Sequence, residues 1–173
     1  MSSVTLAMQI EPVSPARHES LIDLMIEMRE HYSEGPSLPR PTVREHLQQR
    51  LLAPGSSLRL AVAVLPEQGV VGLLAFQLLH SLVDPRPMHG RQCQLKELYV
   101  RAAHRGQGVG RQLMLWLARH AVDQGCGRMD WHVRSWNERG IAFYRALGAE
   151  PVADRLSFRL SGPALRRLAD TRG

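Results

Sequence analysis

The sequence predicts a single α/β domain over residues 1–173, with a mixed, mostly antiparallel central sheet and helices on both faces. Three observations predict it. A length of 173 residues with 44% apolar content suits one globular core. Apolar runs of period two alternate with runs of helical spacing, in the order β-α-α-β-β-β-α-β-α-β. A glycine-rich stretch, Arg105-Gly106-Gln107-Gly108-Val109-Gly110-Arg111, joins a strand to a helix, so the strands on either side of that helix form a parallel pair at the centre of the sheet.

The elements follow in order. Leu6 to Val13 alternates weakly and reads as a first strand. Pro15 sits at a helix start, and Leu21, Leu24, Met25 and Met28 recur at helical spacing. Ser33 to Pro41, with its glycine and prolines, is a loop. Thr42 to Leu52 is a second helix, with Thr42 as N-cap and Glu45 completing a capping box. Leu58 to Leu65 and Val70 to Leu79 are β runs joined by a hairpin connection at Pro66-Glu67-Gln68-Gly69. Val83 to Arg91 is a loop and Gln94 to Val100 the next strand. Gly110 to Gln124 is a helix with a Leu113, Leu117, Ala121 stripe and Gly125 at its end. Met129 to Val133 is a short strand. Asn137 to Leu147 is a helix capped by Asn137 and ended by Gly148. Arg155 to Leu160 is a last strand, and Pro163 to Ala169 a terminal helix.

Composition excludes several classes. No apolar run approaches bilayer-spanning length, and the N-terminal stretch lacks a basic region followed by an apolar core, so neither a membrane span nor a secretory signal is expected. Two cysteines, Cys93 and Cys126, fit reduced thiols in a cytoplasmic protein. The net charge of +6 is carried almost wholly by arginine, Lys96 being the only lysine. It suits a nucleic-acid surface, attraction of an anionic small molecule, or simple solvated charge. The basic residues are scattered and few aromatics interleave with them, so no nucleic-acid face is expected. The eight histidines show no H-x-x-x-H or H-x-H spacing with a carboxylate nearby, and no metal site is expected. No G-x-S-x-G elbow appears for a serine hydrolase.

The glycine-rich stretch carries the chemistry. A glycine turn between strand and helix presents bare backbone N–H groups at the positive end of the helix dipole, which suits phosphate or pyrophosphate. A dinucleotide fingerprint would place a third glycine where Arg111 stands, and a Walker loop would end in Gly-Lys-Ser or Gly-Lys-Thr. Both fail on residue identity. What remains is R-x-x-G-x-G after a strand reading L-K-E-L-Y-V.

Three blocks together resemble the GNAT superfamily of N-acetyltransferases: Leu95-Lys96-Glu97-Leu98-Tyr99-Val100, then Arg105-Gly106-Gln107-Gly108-Val109-Gly110, then Trp136-Asn137 through Phe143-Tyr144 to Gly148-Ala149. They span roughly residues 95 to 149. The ending, Phe158 to Gly162 followed by Leu165 and Leu168, is similar to small diamine and polyamine acetyltransferases within that superfamily. The resemblance implies a GNAT-like fold, acetyl-CoA as cosubstrate, and transfer of its acetyl group to a primary amine, a small amine or diamine first among acceptors, by direct attack in a ternary complex. It leaves open a peptide or protein N-acetyltransferase, and a non-catalytic acyl-CoA-binding regulatory module on the same fold. Dimerisation is common in the family, so a homodimer is an implied partner.

Residue roles follow from the resemblance. The amides from Gly106 through Gln107, Gly108, Val109 and Gly110 to Arg111 would cradle the pyrophosphate, with Arg105 and Arg111 adding charge-assisted bonds. The Leu98–Val100 strand, Tyr99 included, would pair with the pantetheine arm and polarise the thioester carbonyl. Asn137 can cap its helix, touch the pantetheine arm, or do both. Tyr144 lies about two helical turns beyond it, on the same face. Its phenol, of ordinary pKa about 10, can protonate a departing thiolate of pKa about 8.5. Without the family it would read as a core aromatic. Glu97 is the base candidate, directly or through water. The polyamine-acetylating pattern carries adjacent acids here, and this chain has Lys96 at the first place, so Glu97 reads equally as a solvent-facing carboxylate paired with arginine. Glu30, His31 and Tyr32 stand where they can line the acceptor side or be plain surface.

Overall fold

The computed structural model describes residues 8–32, 35–86 and 89–171. Contacts divide the chain into two compact units, residues 1–132 and 133–173. The first holds a five-stranded sheet in the order β1-β2-β3-β4-β5: β1 Gln9–Pro12, β2 Arg59–Leu65, β3 Gly69–His80, β4 His89–Val100 and β5 Cys126–Asp130. The first four pair antiparallel, and β4 pairs parallel with β5. Helices α1 (His18–His31) and α2 (Arg40–His46) precede β2, and α3 (Val109–Asp123) is the crossover between β4 and β5.

Strand alternation sorts the side chains onto two faces. Leu60, Val62 and Val64 of β2, with Leu73 and Ala75 of β3 and Tyr99 of β4, pack with Leu21, Ile22 and Leu24 of α1 and Val43 of α2. The opposite face of the sheet belongs to α3. There Phe76 meets the rings of Trp116 and His120 at 6.1 and 5.4 Å. Gly72 lies so close beneath α3 that an added Cβ would stand 2.9 Å from Leu113 Cδ1 and 3.1 Å from Val109 Cγ1. The missing side chain lets the first turn of α3 settle onto β3, and this fixes where the helix N-terminus points. Among the described residues no helix is long and apolar enough to cross a membrane.

Charged residues tie α1 to both neighbours. Arg40 and Arg44 of α2 hold the Glu19 carboxylate, and Arg40 also meets Asp23. The two guanidiniums hold the Glu19 carboxyl at about 2, although such an exposed cluster adds little stability. Glu27 anchors the other end of α1. Its Oε2 accepts from Arg101 Nη1 at 3.0 Å, and its Oε1 from the Ala102 N–H at 3.0 Å and the Tyr99 hydroxyl at 3.1 Å. Arg101 also donates to the carbonyls of Val70 and Ser20.

Burial opposes the charge on Glu27, but these bonds outweigh it and hold the carboxyl below its ordinary 4.5. A carboxyl depressed on folding contributes stability that is present above its unfolded value and lost as pH falls through the folded one. Glu27→Gln should therefore cost about 1–3 kcal/mol of unfolding free energy at pH 7. It should also flatten the decline in stability on the acid side of pH 4.5, read by denaturant melts across pH.

Several sequence expectations shift. The first strand is seen as Gln9–Pro12; residues 1–7 lie outside the described residues, as do Ser33, Glu34, Pro87 and Met88 of the two expected loops. Thr42 is not an N-cap. The helix opens at Arg40 behind Pro39, and the Thr42 N–H donates to the Pro39 carbonyl. Proline in the first turn fits because its missing N–H would have no acceptor there. Beyond His46 the helix loosens into a π turn, Leu47–Leu51. β4 begins within the expected loop, at His89, because the β3 ladder continues to His80↔Arg91. β5 begins at Cys126, directly after the left-handed Gly125, and not at Met129. The parallel pair lies at the edge of the described sheet and not at its centre, since 155–160 forms no strand. Leu156, Phe158 and Leu160 alternate as a strand should, yet they are 82%, 90% and 53% exposed, and no ladder partner is recorded among the described residues. Alternation becomes a strand only against an edge that accepts its bonds.

The second unit carries α4 (Glu138–Ala146) and α5 (Gly162–Asp170). Asn137 caps α4 through its Oδ1, which accepts from the Gly140 N–H at 2.9 Å. Gly148, at φ 89°, follows the helix in the left-handed region, as the sequence predicts.

Candidate active site

The end of β4 and the start of α3 bring the first-unit residues together. The β3–β4 register pairs Ala75 with Glu97 and Phe76 with Leu95, leaving Lys96 as the extra residue of a β-bulge. In an unbroken strand Leu95 and Glu97 would share a face. The bulge separates them. Leu95 goes with Phe76 to the α3 side, while Glu97 goes with Ala75 and Tyr99 to the side of α1. Lys96 is left exposed.

Glu97 meets the C-terminal end of α1. The Tyr32 hydroxyl donates to Glu97 Oε1 at 2.8 Å. The Tyr32 ring stands 5.2 Å from that of His31 and 6.3 Å, edge-on, from that of Tyr99. His31 closes the group at 5.7 Å from Tyr99. Glu30 is exposed and has no recorded place in this cluster among the described contacts. The Tyr99 phenol is pushed above its ordinary 10.0, by burial first and then by Glu27, with Arg105 acting in the other direction. It therefore stays a protonated donor to Glu27.

Leu98, Tyr99 and Val100 do not present their backbones alike. The Arg101 N–H donates to the Val71 carbonyl on β3. By alternation the Tyr99 N–H faces β3 too, and the polar groups of Leu98 and Val100 face the other edge. Along that edge the parallel ladder ends at Gln94↔Asp130, while β4 continues to Val100. Leu98 and the Val100 N–H thus have the orientation an added strand needs, the Val100 carbonyl already accepting from Arg105; Tyr99 contributes its ring to the core.

The turn after β4 has the expected form. Gly106 lies at φ 76° and Gly108, the N-cap of α3, at φ 83° and ψ −1°. Left-handed backbone at both is the reason for glycine, because a Cβ at either would meet no atom of the described residues within 4 Å. The first intrahelical bond runs from the Gln112 N–H to the Gly108 carbonyl at 3.0 Å, so the amides of Val109, Gly110 and Arg111 have no acceptor within their own helix. The first turn of α3 carries no acid and does carry the exposed Arg111, the reverse of what a helix dipole favours unless an anion is to be bound. Open space, orphan amides and a basic side chain fit a pyrophosphate. Arg105 also has an engagement within the protein. Its Nε donates to the Val100 carbonyl at 3.0 Å and its guanidinium lies 5.3 Å from the Tyr99 ring centre, so it braces the end of β4. The exposed Gln107 donates its side-chain amide to the Ala103 carbonyl at 3.0 Å.

In the second unit, Asn137 acts as the cap of α4, and Tyr144 lies half-buried on that helix with its ring 5.1 Å from Phe143.

Residues 23–149 match the acetyltransferase (GNAT) family. The chain belongs to that family. Among curated proteins, this GNAT chain is 37% identical over 83 residues to a thialysine N-epsilon-acetyltransferase of Bos taurus, covering 46% of this chain and 49% of that protein. It is 34% identical over 74 residues to the L-ornithine N5-acetyltransferase NATA1 of Arabidopsis thaliana, covering 43% of this chain and 32% of that protein. The matches thus span about half the length of these relatives or less. Among solved structures, an integron cassette protein from the mobile metagenome of V. cholerae superposes with a TM-score of 0.83 at 26% identity, over 95% of this chain and 98% of that one. An aminoglycoside acetyltransferase from an uncultured soil sample, at TM-score 0.70 and 20% identity over 89% and 97% of the two chains, shares the fold.

Glu27 and Arg101 escaped the sequence reading. Neither carries a local motif, and their bond joins residues 74 positions apart. Glu27 stands at helical spacing with Glu19 and Asp23 on α1, so in the sequence it reads as one more residue of a polar stripe.

Proposed function

We propose that this chain is an acetyl-CoA-dependent N-acetyltransferase, one transferase domain over residues 1–173, whose acceptor is the primary amine of a small molecule. The observation that carries the reading is the open, left-handed Gly106–Gly108 turn at the N-terminus of α3, directly after the strand that bears Glu97. The names of the relatives, both acting on side-chain amines of amino acids, support a small amine over a peptide.

Bound acetyl-CoA would supply the activated acetyl group. The amides from Gly106 to Arg111 would hold its pyrophosphate, and the edge groups of Leu98 and Val100 would align its arm and polarise its carbonyl. An alkylammonium of pKa about 10.4 falls roughly 4–5 kcal/mol short of its neutral form at pH 7. Glu97 takes that proton, directly or through a water, and the neutral nitrogen attacks. As the new C–N bond forms and the C–S bond breaks, the nitrogen releases its second proton to solvent. Tyr144 gives its phenolic proton to the departing thiolate and is reprotonated from water, and Glu97 returns its proton to solvent. The chain's own thiols are poor nucleophiles: burial pushes Cys93 up to about 12 and also raises Cys126. This favours direct transfer over an acetyl-cysteine. Both cysteines are free, in keeping with a cytoplasmic setting, and a homodimer remains part of the proposal.

Thiol-release kinetics with acetyl-CoA over a panel of diamines, amino acids with side-chain amines, aminoglycosides and peptide N-termini test the reading. Saturable release with a small amine is expected. Acetyl-CoA binding with no release on any amine would instead assign a binding module, and release on peptides alone a peptide acetyltransferase.

A further inference from the structure

We infer that Tyr32 is a positioning residue for the base, fixing the Glu97 carboxylate for proton abstraction; this rests on the proposed acetyl transfer and on Glu97 as its base. The two residues are 65 positions apart, one capping α1 and the other on β4, yet the Tyr32 hydroxyl donates to Glu97 Oε1 at 2.8 Å. A phenol–carboxylate bond is charge-assisted and directional. It acts on the plane of the Glu97 carboxylate, which ends a side chain of three rotatable bonds.

The donor itself is held in place. The Tyr32 N–H donates to the Met28 carbonyl at 3.0 Å, so its backbone ends α1 in regular geometry. Its ring is packed by His31 and, edge-on, by Tyr99. Tyr99 in turn is fixed by its hydroxyl on Glu27, the anchor that joins α1 to the end of β4. Chain and ring therefore bring the phenol to Glu97 without ordering at the moment of reaction. The bulge at Lys96 supplies the other half of the arrangement, since it turns Glu97 toward α1. Tyr32 is 42% exposed, which leaves its edge open to an incoming amine.

A double-mutant cycle with the full chain decides it. Tyr32→Phe keeps the ring and removes the hydroxyl. With the best amine of the panel, it should lower kcat about tenfold to a hundredfold, the scale of a misplaced catalytic group. The affinity for acetyl-CoA should not move, and the chain should stay folded. In a Glu97→Gln background the same change should have no further effect on kcat, because the group it orients is gone. Losses that multiply in the double variant would overturn the inference, as would a Tyr32→Phe enzyme altered only in KM for the amine. A Glu97→Gln enzyme with wild-type kcat would overturn it while leaving acetyl transfer standing. No thiol release by the wild type on any amine would overturn the proposed activity itself.

Discussion

Gly108→Val should lose coenzyme A binding while the chain stays folded. At φ 83° and ψ −1° the valine would occupy left-handed backbone, which a β-branched residue adopts at a cost of about 1–3 kcal/mol. The helix can relieve that strain only by turning the peptide before Val109, and that rotation redirects the amides that hold the phosphates. The side chain adds a second effect. A Cβ at Gly108 meets no atom of the described residues within 4 Å, so it would project into the space assigned to the ligand. Isothermal titration with coenzyme A should show affinity reduced at least about tenfold, equivalent to about 1.4 kcal/mol. Gly108→Asn separates the two effects, because asparagine tolerates left-handed backbone yet still fills the space. Its affinity should fall between those of wild type and the valine variant. Unchanged uptake by Gly108→Val would refute the assignment of this turn to a pyrophosphate.

That turn was legible in the sequence because everything it needs is local: a strand, closely spaced glycines, and a helix with Leu113 and Leu117 on its buried stripe. The same holds for the Asn137 cap and for the glycine that ends α4. The base side was legible only in part. Period-two alternation assigns Glu97 a face from its neighbours, but a bulge shifts the count, and nothing in L-K-E-L-Y-V marks Lys96 as the residue that steps out of register. The Tyr32–Glu97 and Glu27–Arg101 bonds span 65 and 74 positions, beyond any local pattern. Arg105 shows the converse. Its place in the motif was legible, but its Nε bond to the Val100 carbonyl and its contact with the Tyr99 ring were not. Thr42 lost the cap to Pro39 because a proline in the first turn shifts the helix start. The 155–160 segment has the alternation of a strand, but strand formation also requires a partner edge.

Tyr144→Phe should lower kcat about a hundredfold or more, the lower end of what a general acid contributes. The change removes one oxygen and keeps the ring against Phe143, so the chain should stay folded and coenzyme affinity should stay at the wild-type value. The size of the loss should depend on pH. A leaving thiolate of pKa about 8.5 needs a proton most at neutral pH and least well above that value, whereas a phenol of pKa about 10 still holds its proton there. The ratio of wild-type to variant kcat should therefore shrink as pH rises from 7 toward 9.5, measured by continuous thiol release on a saturating amine. A core aromatic whose hydroxyl only satisfies a packing bond would give a different signature: a lower melting temperature with kcat preserved at every pH. That result would assign Tyr144 to the packing of α4 and leave the thiolate to be protonated by water.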